Sequence, residues 1–417
     1  MEYGLIGEKL SHSFSKEIHA KLFDYEYELC EIAAQNLADF LKSRNFKAIN
    51  VTIPYKQSVM EHLDFISDAA QQIGAVNTIV NRDGKLYGYN TDFIGMRGLI
   101  LKNGIEIAGK KVLILGTGGT SKTAAAVCKN LGAKSIFRVS RKAEGECISY
   151  DVAYSRHSDC DVLINTTPCG MYPNIDSAAV DIERFNNLSG VVDAVYNPIC
   201  SLLVTNAKRI GIRAVGGLYM LVLQAAAAAE FFIGQKVSEE KVDIVYSQIE
   251  NSKKNIVLIG MPSSGKTSIG TVLSKALGMP FIDTDRLVEQ KAGMAISEIF
   301  RTQGEKAFRD MESQVIKEVS ATQHAVISTG GGAVLRQENV TCLKLNGTVY
   351  FIDRDLSLLS ATSDRPLSSN LEDLEKRYRE RYPIYCAAAD RIIPNNSEMR
   401  FVTDAIREDM ENENSGN

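Results

Sequence analysis

The segment GMPSSGKT at 260–267 has the residue types and spacing of a phosphate-binding loop. It fits the pattern G-x-x-x-x-G-K-[ST], follows the apolar run 256–259 and precedes a helix-like segment at 268–278. In such a loop, backbone N–H groups, the start of the next helix and the lysine ammonium converge on phosphate, and the Ser/Thr hydroxyl binds Mg2+. We therefore predict an ATP or GTP site; the alternative is a Gly-Ser turn with an exposed lysine. The predicted contacts are Gly260, Ser263, Ser264, Gly265, Lys266, Thr267 and Ser268.

A second glycine-rich turn, GTGGTS at 116–121, follows the buried-strand pattern 111–115. Its glycines allow the backbone to approach a dinucleotide pyrophosphate at the start of the next helix, although Ser121 replaces the third glycine of G-x-G-x-x-G. Arg141 and Lys142 follow the next predicted strand, where cations favour the 2′-phosphate of NADP over the free ribose of NAD. A solvated basic turn remains the alternative. The predicted contacts are Gly116, Gly118, Gly119, Thr120, Ser121, Ser140, Arg141 and Lys142.

The composition predicts an ordinary globular protein of two or three domains. The 417 residues are 45% hydrophobic and 24% charged, with a net charge of −4, so neither a nucleic-acid surface nor an acidic tail is indicated. The eight cysteines are scattered without a C-x-x-C pair, as in a reducing compartment. We expect no secretion signal and no membrane span, and hence a cytoplasmic protein.

The predicted elements that must position these loops alternate between strand and helix, which indicates the α/β class. Residues 63–74 are expected to form one helix, and Asp-Gly at 83–84 is expected to join a hairpin of 76–80 and 86–89. Residues 238–254 predict a helix whose polar tail, 251–255, is expected to be a linker.

Six ordered segments of the first part of the chain together resemble shikimate dehydrogenase. They are S-x-S at 13–15, NVTIPYK at 50–56, GAVNT through NTD at 74–92, INTTPCGM at 164–171, VDAVYNP at 192–198 and GGLYMLVLQA at 216–225. The resemblance implies a substrate-binding part at 1–100 and 217–250 around a Rossmann-like NADP-binding part at 101–216. Two departures are Ser201, where the family usually has threonine, and a short stretch between 141 and 164 that predicts a trimmed strand or helix.

Hydride addition to a carbonyl carbon builds negative charge on the oxygen, which requires a proton donor and a nearby cation. Lys56 supplies both, and Asp92 holds its ammonium. The alternatives are a surface lysine and a helix N-cap. By resemblance, a cyclohexene acid is bound by Ser13, Ser15, Thr52, Asn77 and Gln224, with Tyr196 beside them, and Gly217 belongs to the cofactor site. For Gln224, a core hydrogen bond is the alternative.

The second part of the chain resembles shikimate kinase over 256–417. The matching segments, beyond the phosphate loop, are FIDTD at 281–285, GEKAFRD at 304–310, GGG at 330–332, DRPL at 364–367 and RYPIY at 381–385. Alternation predicts Asp283 and Asp285 on one side of an extended segment, one near Mg2+ and one at the acceptor hydroxyl.

The same resemblance implies the remaining roles in the second part. Arg309 and Arg381 bind the substrate carboxylate, although a solvated helix face is the alternative for Arg381. Gly331 and Gly332 allow a close approach to the substrate ring, and Arg365 on a lid stabilises the transferring phosphoryl group.

Since shikimate is the product of one family and the substrate of the other, the two resemblances support one hypothesis. The chain reduces 3-dehydroshikimate with NADPH and then phosphorylates shikimate with ATP. The alternatives are a broader quinate/shikimate dehydrogenase joined to another small-molecule kinase, and a domain kept only as a binding or regulatory module. The sequence does not indicate an oligomeric state.

Overall fold

The computed structural model describes residues 1–10, 13–143, 145–359 and 371–415. The chain divides into two compact units. The first consists of residues 1–171, 177–197 and 203–249, and the second of residues 172–176, 198–202 and 250–417.

The first sheet of unit 1 has six strands in the order β2-β1-β3-β5-β6-β4. They are β1 (Tyr3–Gly7), β2 (Tyr27–Glu31), β3 (Ala48–Val51), β4 (Phe65–Ile66), β5 (Thr78–Arg82) and β6 (Lys85–Tyr89). The helices of this part are α1 (Ser15–Leu22), α2 (Leu37–Ser43), α3 (Asp68–Ile73) and α4 (Asp92–Lys102). β1 pairs in parallel with β2 and β3, whereas β5 and β6 form the predicted antiparallel hairpin.

The prediction of one helix over residues 63–74 is wrong. Phe65 and Ile66 form β4, which pairs in parallel with β6, and α3 begins only after Ser67. The Ser67 hydroxyl accepts the N–H of Ala70 and caps the helix. This local hydrogen bond fixes the start of the helix, and pairing with β6 keeps the preceding residues extended.

The second sheet of unit 1 is entirely parallel, with the order β12-β11-β10-β7-β8-β9. Its strands are β7 (Lys111–Leu115), β8 (Ser135–Val139), β9 (Cys147–Ile148), β10 (Val162–Asn165), β11 (Gly190–Asp193) and β12 (Arg213–Val215). Its helices are α5 (Gly119–Asn130), α6 (Tyr150–Arg156) and α7 (Leu202–Arg209). This is the Rossmann order, with the crevice outside β7 and β10. The stretch between 141 and 164 keeps both a strand and a helix, each short.

Helices α8 (Leu218–Ile233) and α9 (Glu239–Lys253) complete the core of unit 1. α8 packs on α1 and α4, and its buried residues join those of α4 and the second sheet in one apolar cluster. The approach of α4 to α8 is close, because a β-carbon built at Gly95 would lie 2.5 Å from the Met220 carbonyl oxygen.

The predicted linker 251–255 is wrong. Residues 251–253 form the last turn of α9, and Asn255 begins the next strand, which leaves Lys254 between the two elements. α9 buries Val242, Val245 and Ile249 along one face, and the buried Asn255 amide donates to the Thr322 carbonyl at 2.8 Å. The polar residues of this segment therefore belong to regular secondary structure and not to a separate linker.

Unit 2 contains a parallel sheet with the order β14-β15-β13-β16-β17. Its strands are β13 (Asn255–Ile259), β14 (Phe281–Asp283), β15 (Val326–Ser328), β16 (Gly347–Asp353) and β17 (Arg391–Pro394). Its helices are α10 (Lys266–Leu277), α11 (Thr284–Ala292), α12 (Ile296–Ser320), α13 (Gln337–Asn346), α14 (Leu371–Ala388) and α15 (Met399–Ser415). The predicted α/β class with a parallel sheet is confirmed.

Among the helices in the described ranges, none combines the length and apolar character needed to cross a bilayer.

We expect Gly95→Ala to lower the free energy of unfolding of unit 1 by about 1–2 kcal/mol, because overpacking against backbone outweighs the gain in helix propensity. The matched control is Gly98→Ala, whose added methyl meets the flexible Leu223 side chain and is expected to have little effect. Urea unfolding followed by hydrogen exchange of α4 amides measures both. Equal stabilities for the two variants would show that the helix crossing has room for a methyl group.

Candidate active sites

Lys56 and Asp92 form a close ion pair in unit 1. Lys56 lies in the loop after β3, and Asp92 is the first residue of α4. The Lys56 Nζ donates to Asp92 Oδ2 at 2.6 Å, with the two side chains only 18% and 9% exposed. The surface-lysine alternative is therefore wrong.

The N-cap alternative for Asp92 is also wrong. The side chain that caps α4 belongs to Asn90, whose Oδ1 accepts the Phe93 N–H at 3.2 Å. The Asp92 carboxylate is directed to Lys56 instead.

Asn77 and Gln224 meet through Thr91, which the sequence interpretation missed. The Asn77 amide donates to Thr91 Oγ1 at 3.1 Å and accepts the Thr91 N–H at 2.7 Å. Thr91 Oγ1 lies 3.3 Å from Gln224 Oε1, to which it donates. Gln224 also makes the simple helical bond that the alternative predicted, from Nε2 to the Leu221 carbonyl at 3.1 Å. The sequence contained a signal for Thr91, since this residue lies in the NTD segment that matches the family.

Thr52 directly follows β3, and the two predicted serines lie at the start of α1, in the segment that follows β1. The Thr52 N–H donates to the Ile6 carbonyl at 2.9 Å, and the Ser15 N–H donates to Ser13 Oγ at 3.2 Å. Phe14, between the serines, makes an edge contact with the Tyr196 ring at 5.2 Å. Burial raises the pKa of Tyr196, which keeps its hydroxyl protonated. The segments that follow β1 and β3 thus carry the predicted serines and Thr52.

The glycine-rich turn after β7 has the backbone that its sequence predicts. Gly116 has a φ of 112°, and a β-carbon there would lie 2.7 Å from Thr166 Oγ1. Gly118 is the N-cap of α5, with Gly119 and Thr120 in its first turn. The Ser121 hydroxyl is buried and donates to the Gly116 carbonyl at 2.7 Å, so this side chain braces the turn itself.

The turn faces the ion pair, because a β-carbon built at Gly119 would lie 3.9 Å from Lys56 Cδ. A dinucleotide with its pyrophosphate bound to this turn would therefore lie close to Lys56. Arg141 and Lys142 are exposed just beyond β8, and the Lys142 N–H donates to Ser140 Oγ at 3.3 Å. Gly217 is the N-cap of α8, where a β-carbon would lie 2.7 Å from the Ala194 carbonyl carbon, so packing already requires glycine there.

The phosphate loop of unit 2 connects β13 to α10. Gly260, Ser263 and Gly265 have positive φ values of 146°, 65° and 93°, which turn successive N–H groups inward. The buried Lys266 ammonium donates to the carbonyls of Gly260 and Met261 at 2.9 and 2.8 Å.

The serines of this loop differ in environment. The Ser264 hydroxyl is buried and has no hydrogen-bond partner among the described residues, whereas Ser268 in the first turn of α10 is exposed. An unpartnered buried hydroxyl beside a nest of N–H groups fits a loop that holds a phosphate group.

Asp283 lies beside Thr267, with the Thr267 hydroxyl donating to Asp283 Oδ2 at 2.9 Å. The predicted extended arrangement of Asp283 and Asp285 is wrong. Asp283 ends β14 and caps α11, since its Oδ1 accepts the N–H groups of Asp285 and Arg286 at 3.1 and 3.3 Å. Both carboxylates nevertheless line one pocket of about 260 Å3, together with Lys266 and Thr267.

Arg309 is buried and held by a carboxylate that the sequence interpretation missed. Its Nη1 donates to Glu312 Oε2 at 2.7 Å, and its Nη2 to the half-exposed Glu305 at 3.3 Å. Glu312 is 1% exposed, and burial raises the pKa of its carboxyl, an effect that Arg309 opposes. The i, i+3 spacing on a helix was the available signal.

Arg381 is buried rather than part of a solvated helix face, so that alternative is wrong. Its Nη1 donates to the Gly331 carbonyl at 3.1 Å, and the Tyr385 hydroxyl donates to the same oxygen. A β-carbon built at Gly332 would overlap the Arg309 guanidinium. The triple glycine and the two arginines thus form one cluster. Arg365 lies outside the described residues.

Two family models match parts of the chain. Residues 5–79 match the family model of the shikimate dehydrogenase substrate binding domain, and residues 262–411 match that of shikimate kinase. The shikimate dehydrogenase (NADP(+)) of Clostridium beijerinckii is 42% identical over 267 residues, which cover 60% of this chain and 99% of that protein. The Methanococcus maripaludis shikimate dehydrogenase (NADP(+)) is 36% identical over 56% of this chain and 92% of its own length.

Solved structures agree. A chorismate mutase/shikimate 5-dehydrogenase fusion protein from Clostridium acetobutylicum is 38% identical, with a TM-score of 0.57, over 60% of this chain and 96% of its own. The Thermus thermophilus shikimate 5-dehydrogenase in complex with NADP(H) and shikimate is 27% identical, with a TM-score of 0.54, over 60% of this chain and 99% of its own. These matches show that the chain belongs to the shikimate dehydrogenase family and carries a shikimate kinase domain after it.

Proposed function

We propose that this chain catalyses two consecutive reactions, the NADPH-dependent reduction of 3-dehydroshikimate to shikimate and the ATP-dependent phosphorylation of shikimate to shikimate 3-phosphate. The observation that carries this proposal is the 2.6 Å Lys56–Asp92 pair beside the glycine-rich turn, in a chain that also has a complete phosphate loop. The product of the first reaction is the substrate of the second.

In the dehydrogenase site, NADPH would supply the hydride when bound. The residues that would hold it are those of the turn at 116–121, and Arg141 and Lys142 would bind its 2′-phosphate. Lys56 gives a proton from Nζ to the carbonyl oxygen and stabilises the charge that develops there. Asp92 keeps the ammonium oriented and accepts a hydrogen bond from the same oxygen once it is a hydroxyl.

Uncharged hydroxyl and amide groups recognise the substrate in the dehydrogenase site. Asn77 and Gln224 are fixed through Thr91, so their amides are already oriented when the ring hydroxyls arrive. The Ser13 and Ser15 hydroxyls and Thr52 lie in the segments that follow β1 and β3, where they bind the carboxylate and its neighbouring hydroxyl. Tyr196 lies beside these serines, since its ring contacts that of Phe14.

In the kinase site, ATP would supply the phosphoryl group, and a bound Mg2+ would neutralise charge on its phosphates. Thr267 and Asp283 fit Mg2+, which is usually held by one or two carboxylates, a hydroxyl and phosphate oxygens. Lys266 binds the phosphates. Asp285 orients the acceptor hydroxyl and takes its proton.

Arg309 and Arg381 bind the substrate carboxylate as a pair of guanidinium groups above the triple glycine. Glu312 fixes the orientation of the Arg309 guanidinium through a 2.7 Å hydrogen bond. Arg365 acts at the phosphoryl group, as the resemblance implies.

The same chemistry points to small-molecule substrates as the partners. We propose a cytoplasmic location and no nucleic-acid partner, because the charges are mixed and the net charge is −4. The boundaries at residues 100, 216 and 250 also remain proposals.

Two rival proposals predict different results in substrate assays. A quinate/shikimate dehydrogenase joined to another kinase would accept quinate, and its kinase would prefer another hydroxy acid such as gluconate. A binding module would bind ligand without turnover. A panel of these substrates, with ligand binding measured by calorimetry, separates the three.

We expect Arg141→Ala to raise the KM for NADPH about tenfold and to leave the KM for NADH unchanged, because only the 2′-phosphate loses a charge-assisted bond. Steady-state kinetics with both cofactors measures this. Lys129→Ala, an exposed lysine of the same domain, is the control. Equal changes for NADPH and NADH would mean that Arg141 does not recognise the phosphate.

We expect Glu312→Gln to raise the kinase KM for shikimate at least about tenfold, because the buried Arg309 loses its anionic partner. The wild-type KM should also rise as the pH falls through the raised pKa of Glu312, since the protonated carboxyl no longer holds the cation. In Glu312→Gln this dependence should vanish.

Glu305→Gln is the matched control for that experiment, because Glu305 contacts the same guanidinium from a half-exposed position. Its KM should stay close to that of the wild type. If the KM of Glu312→Gln for shikimate rose at acid pH as it does in the wild type, Glu312 would have no role in the recognition of shikimate.

The test of the two-step proposal is an assay with 3-dehydroshikimate, NADPH, ATP and Mg2+ that follows NADPH absorbance and ADP release. Lys56→Ala should lower reduction roughly 100-fold or more and leave phosphorylation of added shikimate intact. Lys266→Ala should do the reverse, by roughly 100-fold or more. Reduction without ADP release in the wild type would refute the kinase activity.

A further inference from the structure

His19 is a buried imidazole that the two proposed reactions do not use. It lies on α1 four residues after Ser15, so both side chains project from the same face of the helix. His19 is 0% exposed, and within the described part of the chain its Nε2 makes no close hydrogen bond, although the Asn50 side chain is near enough to act on the imidazole. A buried polar atom without a partner is costly, and an aromatic hydrocarbon ring would fill this space without that cost. Packing alone therefore does not require histidine at this position.

Two tyrosines fix the orientation of the ring. His19 Nδ1 lies 2.5 Å from the Tyr25 hydroxyl, and the imidazole stacks on the Tyr27 ring with centroids 3.9 Å apart and planes 9° apart. Burial lowers the pKa of His19 to about 3, so the imidazole is neutral. Nδ1 and the Tyr25 hydroxyl share this hydrogen bond in either neutral tautomer of the ring.

The second tyrosine connects the imidazole to the substrate contacts. The Tyr27 hydroxyl donates to Asn50 Oδ1 at 2.8 Å. Asn50 Nδ2 in turn donates to the Asn77 carbonyl at 3.2 Å and to Thr78 Oγ1 at 3.1 Å. All these bonds are buried, and the Asn50 side chain also lies beside the His19 ring. A continuous path of stacked and hydrogen-bonded groups therefore runs from α1 to Asn77.

We infer that His19 is a positioning residue, which locks the helix of Ser15 to the Tyr27–Asn50–Asn77 path and so sets the spacing between the carboxylate contacts and the hydroxyl contacts of the substrate. This inference rests on the proposed reduction of 3-dehydroshikimate. It assigns His19 no contact with the substrate or with NADPH. Its loss should therefore weaken substrate binding selectively.

The test uses the full-length protein with His19→Phe, which keeps a stacking ring, and Tyr25→Phe, which removes one hydroxyl. In each variant we expect the KM for 3-dehydroshikimate to rise about fivefold, as for the loss of one buried hydrogen bond. The kcat and the KM for NADPH should stay within about twofold of the wild type. The double variant should be no worse than either single variant, because both remove the same bond.

The matched control is His157→Phe, a histidine of the second sheet region whose ring lies against Phe137. It should leave both KM values unchanged. Kinase activity on added shikimate reports the integrity of unit 2 in every variant. Thermal unfolding and an unchanged kcat for reduction report that unit 1 is folded.

The outcomes separate the inference from the function on which it rests. If the wild type does not oxidise NADPH with 3-dehydroshikimate, the proposed reduction fails. If the wild type is active but Tyr25→Phe leaves the KM for 3-dehydroshikimate unchanged, the positioning role is overturned. Additive effects in the double variant, or parallel increases in both KM values, overturn it as well. Should His19→Phe not fold, the Tyr25→Phe kinetics decide alone.

Discussion

The ends of parallel strands are the constraint on which this molecule depends. Beyond the carboxyl end of a parallel strand, the backbone groups are no longer paired within the sheet. A helix that follows also begins with unpaired N–H groups. The chain places polar side chains at three such points, after β3, β7 and β13. Lys56, the turn at Gly116 and the loop at Gly260 are each positioned by the same geometry.

Charge pairing is the second requirement, because the cations of these sites are largely removed from water. Lys56 is paired with Asp92 and Arg309 with Glu312, while the Lys266 ammonium is satisfied by carbonyl oxygens. Unpaired, each would be strongly destabilising. The pairs also restrict the side chains to few rotamers, so that ligand binding requires less ordering.

Motifs that are local in sequence predicted the phosphate loop and the glycine-rich turn, and several partners distant in sequence were missed. The Lys56–Asp92 pair followed from the resemblance and the residue types, since the two residues stand 36 positions apart. Asn50 and Tyr27 did not, because their importance comes from contacts between strands 23 residues apart in the chain. Alternation assigns Asp285 to an extended segment, and the helical pattern starts the helix at residue 63, too early in the chain. Neither pattern takes account of the caps provided by Asp283 and Ser67.

The packing of α8 on α1 and α4 imposes an order on how unit 1 is completed during synthesis. The apolar faces of α1 and α4 are covered by residues that leave the ribosome more than 100 positions later. The parallel sheet formed by 111–215 can therefore fold before α8 has been synthesised. At that stage the surfaces of α1 and α4 that α8 later covers are still exposed. Such long-range closure is slow and exposes apolar surface to aggregation. Nascent chains that stop before α8 should consequently need chaperones more than the finished unit does.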